Sequence, residues 1–216
     1  MLRSSSLIEM HDRDAADWHF KQPNDSDLVR EYGMDSVEGL LGRQHLANFE
    51  LWHEEDRARD PRATDAEVAA VKRAIDAANQ RRHDLTEALD LLLLDIAYRE
   101  APRREATAPV QGKREELPLH SETPGMIADR LSILALKIFH TQEEMARNDA
   151  PAGHAERNGG RMLVLEEQRR DLAACLEQLW DDVLAGRRRF KLYRQLKMYN
   201  DPTLNPAVYG TNEGGK

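Results

Sequence analysis

The segment 121–140 has apolar residues at helical spacing. They repeat every three or four positions, as one face of an α-helix does, and comprise Ile127, Leu131, Leu134 and Ile138. Thr123 followed by Pro124 predicts an N-cap and then a proline at the first helical position, where a missing N–H costs nothing. Further apolar residues occupy the other faces, and a helix that is apolar nearly all round is normally buried. We therefore predict a buried helix that starts after Thr123.

Three other segments show the same helical periodicity. Thr64 and Glu67 form a capping box, which is a start signal for one of them, and Pro61 ends the helix before it. The predicted helices cover residues 36–59, 64–99, 123–147 and the segment from 161, with a helical extension over 187–197. The sequence therefore predicts an all-α fold, a four-helix bundle with long connectors and a C-terminal helical extension.

Composition divides the chain into three parts. Residues 1–25 are polar and lack sustained periodicity, so we expect a poorly ordered N-terminal arm. Residues 26–206 hold the predicted helices and form the helical bundle domain, with connectors at 101–120 and 148–160. Residues 207–216 are rich in glycine, and we expect a flexible tail.

Polar residues interrupt the inward stripes of all four predicted helices. In the first, His45 and Asn48 stand where a simple bundle helix would have leucines. Buried polar and charged groups are costly unless they are paired or bound to something. Two interpretations follow and both stay open: the groups fix the register of the helices, or they line a ligand site between facing helices.

The second interpretation predicts a polar pocket for a small anionic ligand such as a nucleotide or sugar phosphate. Arg82, Arg130 and Lys137 would contact the anion, because a guanidinium fork suits phosphate or carboxylate. The candidates for catalytic, acid–base or orienting roles are Glu55, Asp56, Asp76, Asp129 and His140. Further ligand-binding candidates are Asn48, Arg59, Asn79 and Gln168. The sequence names neither a reaction nor a cofactor.

Charge and cysteine content narrow the class of partner. The formal net charge of −8 disfavours nucleic acid as a partner of the whole molecule, and the basic run at 187–194 is typical of a solvated helix end. Cys175 is the single cysteine, which favours a reducing compartment. No apolar run is long enough for a membrane span. We expect a cytoplasmic protein, and a protein partner or homodimer stays open.

One enzyme class is an alternative. Glu54 and Glu55, with Glu87 and Asp90, are similar to the carboxylates that hold Mg²⁺ in all-α nucleotide pyrophosphohydrolases. Ala58 stands where the first motif of those enzymes has a third glutamate, which argues against metal binding.

A di-iron centre is the other metal site that we considered. Glu50 and His53 have the E-x-x-H spacing of di-iron bundles, but a second such motif is missing. We therefore assign no metal ligands from the sequence.

Five separated motifs resemble a bacterial family. They are NxxxWxxEDxAR from Asn48, IDxxNxxRxD from Ile75, SETPGxxxDRLSILxxK from Ser121, QxxDL from Gln168 and KMYNDPxxNP from Lys197. Together they are similar to the domain of unknown function 4254 family over residues 35–206. The resemblance implies a helical fold and no established activity. Its last motif adds Lys197 and Asn200 to the ligand-binding candidates.

Overall fold

The computed structural model describes residues 2–104 and 115–193, with the backbone alone at 101–104. This part of the chain holds six α-helices and no strand, so the predicted all-α class is confirmed. The helices are α1 (Ser4–Trp18), α2 (Asp25–Tyr32), α3 (Val37–Ala58), α4 (Asp65–Arg104), α5 (Pro124–Ala146) and α6 (His154–Leu184). None of these helices is both long and apolar enough to cross a membrane.

Local hydrogen bonds explain where three of the long helices start. The Ser36 hydroxyl accepts a bond from the backbone N–H of Gly39 at the start of α3. Thr64 and Glu67 form the reciprocal capping box before α4. Thr123 accepts from the N–H of Met126, with Pro124 in the first position of α5. The predicted starts of these helices are confirmed.

The N-terminal segment differs from the prediction of a poorly ordered arm over residues 1–25. Its residues form α1 and the start of α2, and α1 packs against α5, with smaller contacts to α3 and α6. Leu7, Met10 and Trp18 are buried among the other helices. Periodicity missed this helix because buried His11 and Asp14 interrupt its short apolar stripe.

The C-terminal end of the fold also differs from the prediction. Helix α6 begins at His154, before the predicted start at 161, and ends at Leu184. Gly186 has a positive φ of 68°, which only glycine adopts readily. The chain then pairs with the segment before α5 through a parallel bridge between Leu119 and Arg189. Residues 187–193 are therefore not helical, and the rest of the predicted extension lies outside the described residues.

Two antiparallel helix pairs make the body of the fold. Helix α3 packs along α4, α5 packs along α6, and α3 also contacts α5. The largest apolar cluster joins α1, α3, α4, α5 and α6, and includes Leu89, Leu93, Ile127, Leu131 and Leu176. The core is thus not that of a plain four-helix bundle, because α1 contributes to it as well.

Candidate functional site

A polar network joins α3 to α5 inside the fold. The buried Asn48 amide donates to Asp129 Oδ1 and to Ser132 Oγ, each at 2.9 Å. His45 Nδ1 lies 2.7 Å from the same Ser132 hydroxyl. Each of these side chains has at least one hydrogen-bond partner on the facing helix, and such pairs hold two helices in one register.

Helix α4 adds Arg82 to this network at longer distance. Arg82 Nη1 lies 3.5 Å from Asn48 Oδ1, and Arg82 Nε lies 3.9 Å from Asp129 Oδ1. The side chains of Arg82 and Asp129 are about one-fifth exposed, at 21% and 18%. The structure therefore brings three of the predicted site residues together, and they contact one another, while Arg82 also contacts His83 Nε2 at 3.1 Å.

His45 of this network stacks on a second histidine, His11, and neither has a charged partner among the described residues. The rings of His11 and His45 stack, and both side chains are fully buried. Burial lowers the pKa of His45 to about 3. Burial, and then the neighbouring His45 ring, lowers the pKa of His11. Both rings are therefore neutral at physiological pH, and a buried neutral pair of this kind supports packing.

Asp90 anchors the start of α5. Its carboxylate accepts a bond from the Thr123 hydroxyl at 2.5 Å and from the Gly125 N–H at 2.7 Å. A Cβ atom at Gly125 would lie 2.8 Å from Asp90 Oδ1, which is closer than real contacts allow. Burial raises the pKa of Asp90 to about 6. The SETPG motif therefore has a structural use, since it docks the first turn of α5 on α4.

The carboxylates of the pyrophosphohydrolase alternative lie far apart. Glu55 pairs with Arg59 in the last turn of α3. Glu50 of α3 pairs with Arg81 of α4, and Asp90 lies about 14 Å beyond Arg81 along α4. Because α3 runs antiparallel to α4, Glu55 lies on the other side of that contact. No group of three or more carboxylates within the described chain converges on one point.

A cleft of about 680 Å³ lies between α5 and α6. Predicted site residues Lys137 and His140 line one wall, and Trp52 of α3 closes one side. Arg157 and Arg161 line the opposite wall from α6. The cleft therefore brings three cationic side chains together around one space.

The cations of the cleft are not neutralised by nearby carboxylates. Within the described chain, Lys137 and Arg157 have no ion pair, and Arg161 donates to the amide oxygen of Asn158 at 3.0 Å. Glu144 is the acidic residue in the lining, and it contacts His154 at 2.7 Å and Arg147 at 3.0 Å. A positive potential therefore remains in the cleft.

Lys137 also lines a second cleft of about 500 Å³, together with other residues of α5 and α6. Two further predicted residues, Arg130 and Gln168, lie in the lining of this cleft. Arg130 pairs with Glu122 at 2.7 Å, so its charge is already compensated. This cleft therefore offers less free charge than the first.

The remaining predicted site residues belong neither to the polar network nor to the two clefts. They lie toward the end of α3 and in the first half of α4, and are Glu55, Asp56, Arg59, Asp76 and Asn79. Arg59 and Asp76 are exposed and bonded to neighbours on their own helices. Lys197 and Asn200 lie outside the described residues.

Sequence reasoning missed the α6 side of the first cleft. Arg157 and Arg161 are four residues apart and so lie on one helical face, but the predicted helix started at residue 161. The i, i+4 spacing of two arginines would have been the signal. Two histidines near the cleft, His19 and His53, gave no comparable signal because they are distant from each other in sequence.

The fold and the cleft define an all-α helical protein with a cation-lined cleft on the outside of its core. The chain belongs to the family described as "Protein of unknown function (DUF4254)", whose model matches residues 38–192. The resemblance that the five motifs suggest is therefore confirmed, and the match spans α3 to α6. No curated protein and no solved structure matches the chain.

Proposed function

We propose that this protein binds a small phosphorylated ligand in the cleft between α5 and α6. The observation that carries the proposal is the convergence of Lys137, Arg157 and Arg161 on one space without ion-pair partners among the described residues. A cationic site of this kind is stabilised when an anion enters it. Guanidinium groups suit phosphate because they can donate two parallel hydrogen bonds.

The other walls of the cleft suit the non-phosphate part of such a ligand. The Trp52 and His140 rings stack with centroids 4.6 Å apart and planes 8° apart. Val164 and Leu165 add apolar surface on α6. A flat aromatic wall beside cationic groups favours a nucleotide or a similar planar phosphorylated molecule.

His140 is a titratable residue in the wall of the cleft. Burial lowers the pKa of His140, against a smaller raising effect of the Glu143 carboxylate. The imidazole is therefore mostly neutral near pH 7 and adds no positive charge to the cleft. We keep the cytoplasm as the proposed location, since the single cysteine suits a reducing compartment.

A ligand screen on the wild type tests this proposal. Nucleotides, sugar phosphates and inorganic phosphate are titrated by calorimetry at low ionic strength, where screening is weak. Lys137→Ala and Arg157→Ala each remove a charge-assisted bond, so the dissociation constant is expected to rise about tenfold or more. Arg170→Ala is the matched control, because Arg170 is exposed on α6 and does not line the cleft. Absence of binding to the wild type, or equal binding by Arg157→Ala, would overturn the proposal.

A protein-interaction role is the second candidate. The interior network of Asn48, Asp129 and Ser132 satisfies itself, as a register device would. Leu163 and Val164 of α6 are 68% and 52% exposed, which is apolar surface available to a partner or second copy. Light scattering separates this role from the first: a concentration-dependent dimer that Leu163→Ser abolishes supports it, and a monomer at all concentrations counts against it.

A further inference from the structure

Three histidines from distant parts of the chain meet beside the inner wall of the cleft. His19 follows the last residue of α1, His53 lies on α3 and His140 lies on α5. One ring nitrogen of each lies within 4.8 Å of the others. Among the described residues, this is the one group of three or more potential metal ligands that converges. The sequence did not predict it.

The hydrogen bonds of these rings determine which nitrogen is available. His19 Nδ1 lies 2.6 Å from the carbonyl oxygen of Ala15, and His53 Nδ1 lies 2.8 Å from that of Phe49. A carbonyl oxygen only accepts, so each Nδ1 carries the proton and each Nε2 keeps its lone pair.

The Nδ1 atom of His140 also has a hydrogen-bond acceptor, which here is a carboxylate. Its Nδ1 lies 2.8 Å from Glu143 Oε2. Carbonyl and carboxylate partners at the second ring nitrogen are the usual support of metal-binding histidines, because they set the tautomer and orient the ring. All three rings therefore have the outer hydrogen bond that a metal ligand needs.

Two of the three free nitrogens are buried without a partner. His19 Nε2 and His140 Nε2 are inaccessible to solvent and make no hydrogen bond within the described chain. Leaving a buried acceptor unsatisfied costs free energy, and here the acceptors point to a common space. A cation that accepts several lone pairs at once removes that cost.

An aromatic shell surrounds the three rings. Phe139 stacks on His19 with centroids 4.4 Å apart, and Phe49 lies 4.4 Å from His53. Trp52 covers the outer face of His140. Such a shell limits the access of water and holds the rings in place, which strengthens the bonds to a bound ion.

The geometry points to a transition-metal site in which His19, His53 and His140 each provide Nε2 to one divalent ion. Three neutral imidazoles suit Zn²⁺ and its neighbours Co²⁺, Ni²⁺ and Cu²⁺, whereas Mg²⁺ and Ca²⁺ prefer oxygen ligands. Bonds of about 2.0–2.1 Å in tetrahedral geometry place the nitrogens about 3.3 Å apart, so the rings close by at most about 1.5 Å on binding.

Three protein ligands leave one position of a tetrahedral ion open. His140 belongs both to the three-histidine group and to the lining of the cleft. The ion would therefore lie next to the inner wall of the cationic cleft, on the side of the His140 ring where Nε2 is inaccessible to solvent. The proposal of a metal site rests on the geometry of the three histidines and does not depend on anion binding.

Metal titration of the full chain tests the site. The protein carries a tag without histidines, is treated with a chelator and is titrated with Zn²⁺ against a chromophoric competitor. The expected result is one tightly bound Zn²⁺ per chain, and with Co²⁺ the intense visible absorption of a four-coordinate ion. A wild type that binds no stoichiometric Zn²⁺ overturns the proposal.

Variants assign the binding to these ligands. His140→Gln removes a ligand and is expected to abolish the Co²⁺ spectrum. Glu143→Gln keeps all three ligands and changes an exposed side chain, so it folds normally, yet it is expected to weaken Zn²⁺ binding about 10- to 100-fold. His120→Gln, in the segment before the start of α5, is the matched control and keeps wild-type affinity. Unchanged affinity in Glu143→Gln together with unchanged stoichiometry in His140→Gln would overturn the assignment.

Discussion

His11 and His45 stack in the interior of the protein, with ring centroids 4.5 Å apart and planes 26° apart. The two rings come from α1 and α3, which the sequence does not connect by any local signal. Both rings are fully buried, so a proton on either one would be an unpaired charge in the core. The contact ties the N-terminal helix to the body of the fold only while both rings are neutral.

Stability is therefore expected to fall as the pH drops below about 6.5. The unfolded chain has histidines of ordinary pKa, whereas the folded pKa of His45 is about 3 and that of His11 is also lowered. Between these values the unfolded state binds more protons, so each histidine removes up to about 1.4 kcal/mol of the free energy of unfolding per pH unit. Asp90 acts in the opposite sense below pH 6, because its raised pKa makes the folded state bind the extra proton.

Urea unfolding at a series of pH values from neutral to mildly acidic measures this slope. His11→Phe keeps an aromatic ring at the position and removes one titrating group, so its slope is expected to be shallower than that of the wild type. A wild-type free energy of unfolding that stays constant from pH 7 to pH 5 would contradict the prediction.

Two aromatic residues near the end of α1 provide a test of N-terminal packing. Trp18 is 7% exposed and packs on His45 and Phe49, whereas Phe20 is 92% exposed. We expect Trp18→Ala to lower the free energy of unfolding by about 3–5 kcal/mol. Phe20→Ala is the control and should change it by no more than about 0.5 kcal/mol. Equal effects of the two changes in denaturant unfolding would show that α1 is not part of the core.

Gly125 and Gly160 are helical glycines with opposite surroundings. A Cβ at Gly125 would collide with the Asp90 carboxylate, whereas nothing lies within 4 Å of a Cβ at Gly160. We expect Gly125→Ala to lower the melting temperature because it displaces Asp90 from the start of α5. Gly160→Ala should stabilise the protein by about 0.5–1 kcal/mol, since alanine is the better helix former. A Gly125→Ala variant as stable as Gly160→Ala would rule out the close contact.

Asn48 and Arg130 distinguish a structural role from a surface role among the predicted site residues. Asn48→Ala leaves Asp129 and Ser132 without their shared donor, so we expect a loss of about 1–3 kcal/mol. Arg130→Leu removes one ion pair of a side chain that is 53% exposed, and its cost should be below about 1 kcal/mol. Thermal unfolding of both variants measures the difference. A larger loss of stability in Arg130→Leu than in Asn48→Ala would contradict the prediction.

The sequence predicted the long helices well because their start signals are local. The Thr64 and Glu67 side chains bond to backbone groups within four residues, and so does Thr123. Such contacts form in any context that permits a helix. The end of α6 was harder to predict, because the backbone after Gly186 is held by a bridge between Arg189 and Leu119, which is distant in the sequence.

The candidate site was predictable only in part. Lys137 and His140 were chosen from the sequence, and both line the α5–α6 cleft. Glu55, Asp56 and Arg59 were chosen because they continue the α3 stripe of Asn48, but the buried positions of α3 end at Leu51, before these three residues. Periodicity gives the face of a helix and contains no information about where along its length that face leaves the core.

The sequence by itself determined the all-α class, the family and the starts of α3, α4 and α5, because each depends on periodicity, matching motifs or bonds between near neighbours. The tertiary structure alone decided which polar groups meet. Asn48 and Asp129 are 81 positions apart, and the three histidines come from three distant parts of the chain. Such meetings depend on the rotation and axial register of packed helices, which many distant apolar contacts set together.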